Sequence, residues 1–265
     1  MKKIALRFGL VFSILFGFYA CKDDEGFNLF SIEDDKQLGL QLKEEITANP
    51  AEFPVLDESQ FSAAYSHLSR MKDSILNSGN VTHKNDFLWE LKIIHDDSVL
   101  NAFCAPGGYI YVYTGLIKFL ESEDELAGVL GHEIAHADKR HSTEQLTKVY
   151  GISLLFQVIL GENAGLLQEI AQGLISLKFS RTNEAEADEY SVKYLCPTAY
   201  NAAGAAGFFQ KLLDLQQTGS TPEFLSTHPS PDNRVQDINA HKTADGCTGT
   251  GTFDSRYQQL ISSLP

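Results

Sequence analysis

A His-Glu-x-x-His sequence at residues 132–136 is the feature that most constrains how this chain can fold. Two histidines spaced four residues apart lie on the same face of an α-helix, one turn above the other. His132 and His136 can therefore bind one Zn²⁺ ion at roughly 2.0–2.1 Å and leave one position open to water. Glu133 then lies beside that water as a candidate general base. The alternative is a helix that carries these three side chains without binding a metal.

The composition is that of an acidic globular protein. The chain has 265 residues, of which 43% are hydrophobic, so it can bury one sizeable core and make at most two domains. Its formal net charge is −14, whereas phosphate binding uses clustered lysine and arginine side chains, so we expect no nucleic-acid partner. No repeat, long linker or low-complexity tract divides residues 31–265, and we expect a single domain there.

The N-terminal segment is typical of an exported bacterial lipoprotein. Basic residues at positions 2, 3 and 7 precede the apolar run 8–19, which is too short to span a membrane. The pair Ala20-Cys21 that follows resembles a lipobox. We therefore expect residues 1–20 to be a signal peptide, acyl chains on Cys21 to anchor the protein to a membrane, and residues 21–30 to be an acidic spacer. The alternative is an ordinary secretory signal with a coincidental cysteine.

The run 22–25 resembles a signal that sends lipoproteins to the cell surface, and it fits a solvated spacer equally well. We therefore expect an outer-membrane lipoprotein on either the periplasmic face or the cell surface. Cys196 and Cys247 are predicted to form a disulfide, because both lie in loop-like sequence of a chain expected in an oxidising compartment. Cys104 lies in a predicted strand and is expected to be a small buried side chain.

Hydrophobic periodicity predicts a mostly helical chain with a small sheet. Three strands are predicted before the long helix that carries His132 and His136, at residues 87–94, 101–104 and 109–113. The other predicted helices cover residues 32–48, 59–77, 151–160, 168–194, 201–215 and 230–241. The helix over 151–160 is the most hydrophobic internal run, and its length indicates a buried or interfacial helix rather than a membrane span.

Glu184 and Asp188 are candidates to complete the metal site. They lie four residues apart on a predicted helix and share one face, whereas Glu186 faces elsewhere. Two histidines leave a tetrahedral zinc ion one protein ligand short when the fourth position is kept for water. A carboxylate ligand, with a second acid one turn along to hydrogen-bond another ligand, suits that requirement. Taken alone, the stretch fits an exposed acidic helix as well.

Several stretches together resemble the M48 metallopeptidases, a family of zincin-type enzymes. They occur in the family's order over about residues 60–240. The stretches are Asn101-Ala102-Phe103 with Pro106-Gly107-Gly108-Tyr109, the histidine helix continuing to Arg140-His141, residues 180–188, and Thr227-His228-Pro229 with Arg234. The resemblance implies an α+β, zincin-like fold that is mostly helical, with a small β-sheet beside the zinc helix.

The resemblance also implies roles for individual residues. It implies one Zn²⁺ ion per chain, bound by His132, His136 and Glu184, with Glu133 as the general base. It further implies an edge strand on which a peptide substrate lies as an added strand, made of Asn101, Ala102 and Phe103.

For three more residues, the sequence leaves more than one role open. Asp188 is either a catalytic proton donor or a group that orients a zinc-bound histidine through a hydrogen bond. His228 either stabilises the tetrahedral intermediate, occupies the fourth zinc position and shuts the enzyme off, or caps a turn before Pro229. Arg234 either binds the oxyanion or pairs with an acid. His141 is expected to be structural or to contact a ligand rather than to be one.

We therefore expect a zinc-dependent endopeptidase tethered by lipid to a bacterial envelope membrane, with misfolded or immature envelope proteins as substrates. The substrate class rests on the resemblance alone. One alternative is a chaperone-like module that binds unfolded envelope proteins with latent or absent proteolysis. A second alternative is a zinc hydrolase that acts on peptidoglycan.

Overall fold

The computed structural model describes residues 28–219, 222–229 and 233–265. The predicted signal peptide and Cys21 lie outside these residues, as does the predicted start of a helix at Ser230. The described strands are β1 (Glu90–Ile94), β2 (Ala102–Ala105) and β3 (Tyr109–Tyr113). The described helices are α1 (Ile32–Ala48), α2 (Ser62–Leu76), α3 (Thr114–Phe119), α4 (Glu123–Asp138), α5 (His141–Tyr150), α6 (Ile152–Ile159), α7 (Ala164–Gly173), α8 (Arg181–Leu195), α9 (Gly204–Gln217), α10 (Glu223–Thr227), α11 (Arg234–Ala244) and α12 (Asp254–Ser262).

The chain is mostly helical with one small sheet, as expected. The sheet has the order β1-β3-β2, with β1 parallel and β2 antiparallel to β3. Gly107 and Gly108 make the turn between β2 and β3 with φ values of 77° and 88°, which other residues rarely adopt. Strand β1 begins at Glu90, later than predicted, because Trp89 has a φ of 51°, outside the strand region. None of the described helices has the length and apolarity that crossing a membrane requires.

Helix α4 runs through the centre of the molecule, and all of its residues are buried. Helices α8 and α9 approach it closely because Gly128 and Gly131 have no side chains. An added Cβ would lie 2.3 Å from the Ala205 nitrogen at Gly128 and 2.8 Å from Ser191 Oγ at Gly131. The Ser191 hydroxyl donates a hydrogen bond to the Gly128 carbonyl oxygen at 2.7 Å. These contacts hold the histidine helix against α8, which carries the candidate third ligand.

The predicted single helix over 168–194 is wrong. The chain instead forms α7, a 3-10 turn at Leu174–Ser176, an extended segment and then α8. The Ser180 hydroxyl accepts a hydrogen bond from the Asn183 backbone N–H, and the Asn183 side chain accepts one from the Ser180 N–H. This capping box satisfies backbone donors at the start of α8, so a new helix begins at Arg181. Helices α3, α5, α10 and α12 are additional to the predicted ones.

The cysteine predictions are confirmed. Cys196 and Cys247 form a disulfide that joins the end of α8 to the segment after α11. Cys104 is buried in β2 and is the one free cysteine among the described residues. The disulfide closes a sequence separation of 51 residues, so it restricts the unfolded chain around α9, α10 and α11.

We expect Gly128→Ala to lower the free energy of unfolding by about 1–3 kcal/mol, because the added methyl group forces α4 and α9 apart. Gly165→Ala on α7 is the matched control. Its added Cβ meets nothing nearer than 4.0 Å, and alanine favours a helix by about 1 kcal/mol over glycine. Urea unfolding followed by circular dichroism measures both variants. An unchanged unfolding midpoint for Gly128→Ala would contradict the close contact of α4 with α9.

Candidate metal centre

Helices α4 and α8 bring His132, His136 and Glu184 together in the core. The two Nε2 atoms of the histidines lie 3.0 Å apart. The Glu184 carboxylate oxygens lie 3.5 Å from His132 Nε2 and 3.4 Å from His136 Nε2. All three residues are fully buried. The four-residue spacing on α4 brings the two histidines together, and the packing of α8 on α4 adds Glu184 to them.

These separations fit one metal ion. Ligand atoms at ~2.0–2.2 Å from a tetrahedral zinc ion are roughly 3.3–3.6 Å from one another, a range that contains both distances from Glu184 and lies slightly above the 3.0 Å between the histidines. Two imidazole nitrogens and one carboxylate are the ligand set of many catalytic zinc sites. Together with His228, these residues form a group of four whose candidate ligand atoms all lie within 4.8 Å of one another.

Asp188 contacts one of the two histidines, as one of its two predicted roles requires. Asp188 Oδ1 lies 2.9 Å from His132 Nδ1. A proton on Nδ1 donates to this carboxylate, which leaves the lone pair of Nε2 free for a metal. Burial lowers the pKa of His132, but hydrogen bonds to Asp188 and Glu184 outweigh burial and raise this pKa to about 9. The carboxylates on α8 therefore stabilise positive charge at this imidazole.

His136 has a corresponding partner that sequence reasoning only partly identifies. Its Nδ1 lies 3.0 Å from His141 Nδ1, and His141 Nε2 lies 3.1 Å from Glu186 Oε2. When His141 donates to Glu186, its Nδ1 accepts the proton of His136 Nδ1, and His136 Nε2 keeps its lone pair. Burial holds the pKa of His136 well below its usual value, so this imidazole is neutral. Glu186 lies away from the ligands, as predicted, yet it reaches the site through His141.

Arg234 supplies the buried positive charge of the site. Its Nε lies 2.6 Å from Asp188 Oδ2, and its Nη2 lies 2.8 Å from Asp188 Oδ1. The same Nη2 lies 3.0 Å from Glu184 Oε2. Burial raises the pKa of Glu184, but His228, Arg234 and the hydrogen bonds of His132 and His136 outweigh it and hold this pKa well below its usual value. Arg234 thus helps to keep Glu184 ionised and also pairs with Asp188.

Glu133 is a buried carboxylate without a hydrogen-bond partner at either oxygen. Its Oε1 lies 3.6 Å from His228 Nε2, beyond hydrogen-bond distance. Burial raises the pKa of Glu133 above its usual value. An unpaired buried carboxylate is costly, and such groups mark sites that bind a ligand or act in a reaction.

His228 follows the last residue of α10 and is the fourth member of the candidate metal-binding group. Its Nδ1 lies 3.0 Å from Glu184 Oε1 and 3.3 Å from His132 Nε2. Its ring stacks on Phe224 at 4.2 Å, and the ring of Phe179 stacks on His136 at 3.9 Å. Sequence reasoning missed both phenylalanines, because no spacing marks an aromatic residue that comes from a separate element. The predicted metal-binding and catalytic residues are all at most 3% exposed, so this part of the site is enclosed.

The residues predicted to bind substrate lie in and next to β2, which is the edge strand as expected. The edge is covered, and Asn101, Ala102 and Phe103 are all buried. The side-chain Nδ2 of Asn101 donates a hydrogen bond at 3.3 Å to the carbonyl oxygen of Ile175, which lies in the 3-10 turn after α7. An added strand would have to displace this turn.

We expect Arg234→Met to lower the free energy of unfolding of the metal-free protein by about 3–5 kcal/mol, because two acids would stay buried without their cation. Lys193→Met on α8 is the control, since Lys193 pairs with Glu189 on the surface and the loss there is about 0.5 kcal/mol. Urea unfolding in the presence of EDTA compares the two variants. Equal losses would mean that the buried cluster contributes no more than a surface ion pair.

The chain is similar to metalloendopeptidases of mitochondria and bacteria. It is 34% identical to the mitochondrial metalloendopeptidase OMA1 of Arabidopsis thaliana over 170 residues, which are 63% of this chain and 34% of that protein. It is 31% identical to OMA1 of Schizosaccharomyces pombe over 163 residues, 60% of this chain and 48% of that protein. It is 31% identical to the β-barrel assembly-enhancing protease of Escherichia coli K12 over 161 residues, 55% of this chain and 32% of that protein.

The chain spans about a third to a half of the length of these relatives. The sequence model of peptidase family M48 matches residues 63–242, a range that contains α4, α8 and all the site residues described above. The family resemblance and the mostly helical, zincin-like fold expected from it are confirmed. The chain belongs to peptidase family M48.

Proposed function

We propose that this protein is a zinc-dependent metalloendopeptidase that acts in the bacterial cell envelope on misfolded or immature envelope proteins. The observation that carries the proposal is the buried triangle of His132, His136 and Glu184 next to the unpaired carboxylate of Glu133. Membership of family M48 and the names of the relatives support peptide hydrolysis as its reaction.

In this proposal His132, His136 and Glu184 bind the ion. When bound, zinc lowers the pKa of water and polarises the substrate carbonyl group. Asp188 orients His132 rather than donating a proton, because its two oxygens already accept hydrogen bonds from Arg234 and from His132. Arg234 keeps Asp188 in position and offsets the negative charge of Glu184.

Glu133 is the general base. One of its carboxylate oxygens takes a proton from the attacking water and later gives it to the leaving amine nitrogen. Its raised pKa suits this double task, because a base whose pKa is nearer the working pH both accepts and releases a proton readily. No hydrogen bond to protein has to be broken first, since both oxygens are unpaired.

The envelope location rests on the N-terminal residues. The basic start, the short apolar run and Cys21 support export and lipid attachment, with the outer membrane as the proposed location. Some relatives are mitochondrial by name, so family membership by itself does not decide the compartment. The name of the E. coli relative supports envelope proteins as the substrate class.

The enclosed state of the site favours a second candidate function. His228 lies among the donor atoms and contacts Glu184, and it is 1% exposed. If His228 keeps the fourth ligand position, the protein is latent or acts as a chaperone-like module that binds unfolded envelope proteins. If His228 moves away, it is placed to stabilise the tetrahedral intermediate.

We expect wild-type protein to cleave casein or an unfolded outer-membrane β-barrel protein, and Glu133→Gln to cleave at least about 100-fold more slowly, because an amide cannot accept the proton. Zinc content measured on both proteins controls for loss of the ion. Equal suppression of substrate aggregation by both proteins, with no cleavage by either, would favour the chaperone-like function. Release of muropeptides that depends on Glu133, without protein cleavage, would indicate a peptidoglycan hydrolase.

We expect Glu184→Ala to reduce bound zinc by at least about 10-fold at limiting metal, because two histidines alone leave the site one ligand short. Glu189→Ala is the matched control, since Glu189 lies on the same helix and pairs with Lys193 on the surface. Metal analysis after dialysis against a fixed zinc buffer measures both variants. Stoichiometric zinc in Glu184→Ala would mean that the third ligand is a different residue.

A further inference from the structure

Helix α6 and the residues that flank it form an unusually apolar stretch of the chain. Residues 149–161 contain no charged side chain, although the chain has a net charge of −14. Leu155, Val158 and Ile159 are buried and lie on one face of the helix. Ser153 and Gln157 are the polar side chains of this helix and neither is charged, whereas a surface helix normally presents charged and polar side chains on its outer face. The outer face of α6 therefore differs from that of an ordinary surface helix.

This outer face is exposed to solvent. Leu154 and Phe156 of α6, Leu160 at its end and Val149 of α5 form what we call the α6 patch, with exposed fractions of 40%, 38%, 68% and 55%. They are four of the seven large hydrophobic side chains that are exposed among the described residues. Isolated exposed apolar residues are common, but a concentrated group marks an interaction surface.

The first described residues lie against this patch. The ring of Phe30 packs on the ring of Phe156 with centroids 4.8 Å apart, and Leu29 beside it is 48% exposed. Two glutamine amides of α1 donate hydrogen bonds to the Ile159 carbonyl oxygen at 3.2 Å. Helix α1 and the residues before it are therefore attached to α6, and Leu29 extends the apolar surface.

The position of the lipid anchor restricts what can cover the patch. Cys21 precedes Leu29 by eight residues, and eight residues reach at most roughly 26–29 Å. A membrane that holds the acyl chains of Cys21 therefore stays within about that distance of Leu29, whose neighbour Phe30 packs on Phe156 of the patch. An uncharged patch on an acidic protein also suits zwitterionic headgroups better than anionic ones.

We propose that the α6 patch lies on the phospholipid bilayer to which Cys21 is anchored. This inference rests on the lipid anchor in the proposed function. The acyl chains hold the protein at the membrane, and the patch is a second contact that orients it. An interfacial helix of this kind buries its apolar face at the boundary of headgroups and acyl chains.

The test uses the full lipidated protein with an environment-sensitive fluorophore on Leu160→Cys. Leu88→Cys is the matched control, because Leu88 is 62% exposed and lies outside the patch, before β1. The introduced thiol is the accessible one within the described residues, since Cys104 is buried and Cys196 is bonded to Cys247. The vesicles contain phosphatidylethanolamine and phosphatidylcholine, with a quencher on the acyl chains.

We expect acyl-chain quenching at position 160 to exceed that at position 88 by about threefold or more, because the patch would lie roughly 5–10 Å into the headgroup boundary. Flotation of the vesicles reports the lipid anchor, and casein cleavage by the same protein reports the enzyme. Equal quenching at both positions in a protein that floats and cleaves would overturn the patch inference alone. Self-association that Leu160→Asp abolishes and Leu88→Asp does not would assign the patch to a second copy and overturn it as well. A protein that does not float would remove the anchor and the inference together.

Discussion

The geometry of the site depends on one buried cation. Arg234 comes from α11 and contacts Asp188 and Glu184 on α8, and Asp188 in turn contacts His132 on α4. Three helices that are far apart in the sequence are therefore joined by charge-assisted hydrogen bonds. Without the guanidinium group, Glu184 and Asp188 would stay buried without the cation that pairs with both of them. Arg234 thus holds in place both Glu184, the proposed third ligand, and Asp188, the partner of His132.

The two histidines are oriented by different chemistry. His132 faces a carboxylate that is itself held by Arg234, whereas His136 faces a second imidazole, His141, that is held by Glu186. Both arrangements place a proton on Nδ1 and leave Nε2 for a metal. Glu133 contrasts with these groups because both of its oxygens are unpaired. The two histidines proposed as ligands are thus held by hydrogen bonds, whereas the proposed base is not.

The enclosure of the site and the exposure of α6 arise in the same part of the chain. Helix α5 leaves the histidine helix and leads into α6 and α7, and the turn after α7 covers the edge of the sheet. The segment between α4 and α8 thus has one side toward β2 and another side toward solvent. Under the proposed function, a peptide would reach the buried site only if that covering turn or His228 moved.

The sequence by itself determined the local chemistry. Helical periodicity put His132 above His136 and Glu184 above Asp188, and the loop positions of Cys196 and Cys247 indicated their disulfide. Only the tertiary structure decided what depends on packing between distant elements. Examples are the break of the helix before Arg181, the link from His136 through His141 to Glu186, and the burial of β2, the strand predicted to bind substrate. The physical reason is that periodicity defines which residues share a face, whereas long-range contacts decide what that face meets.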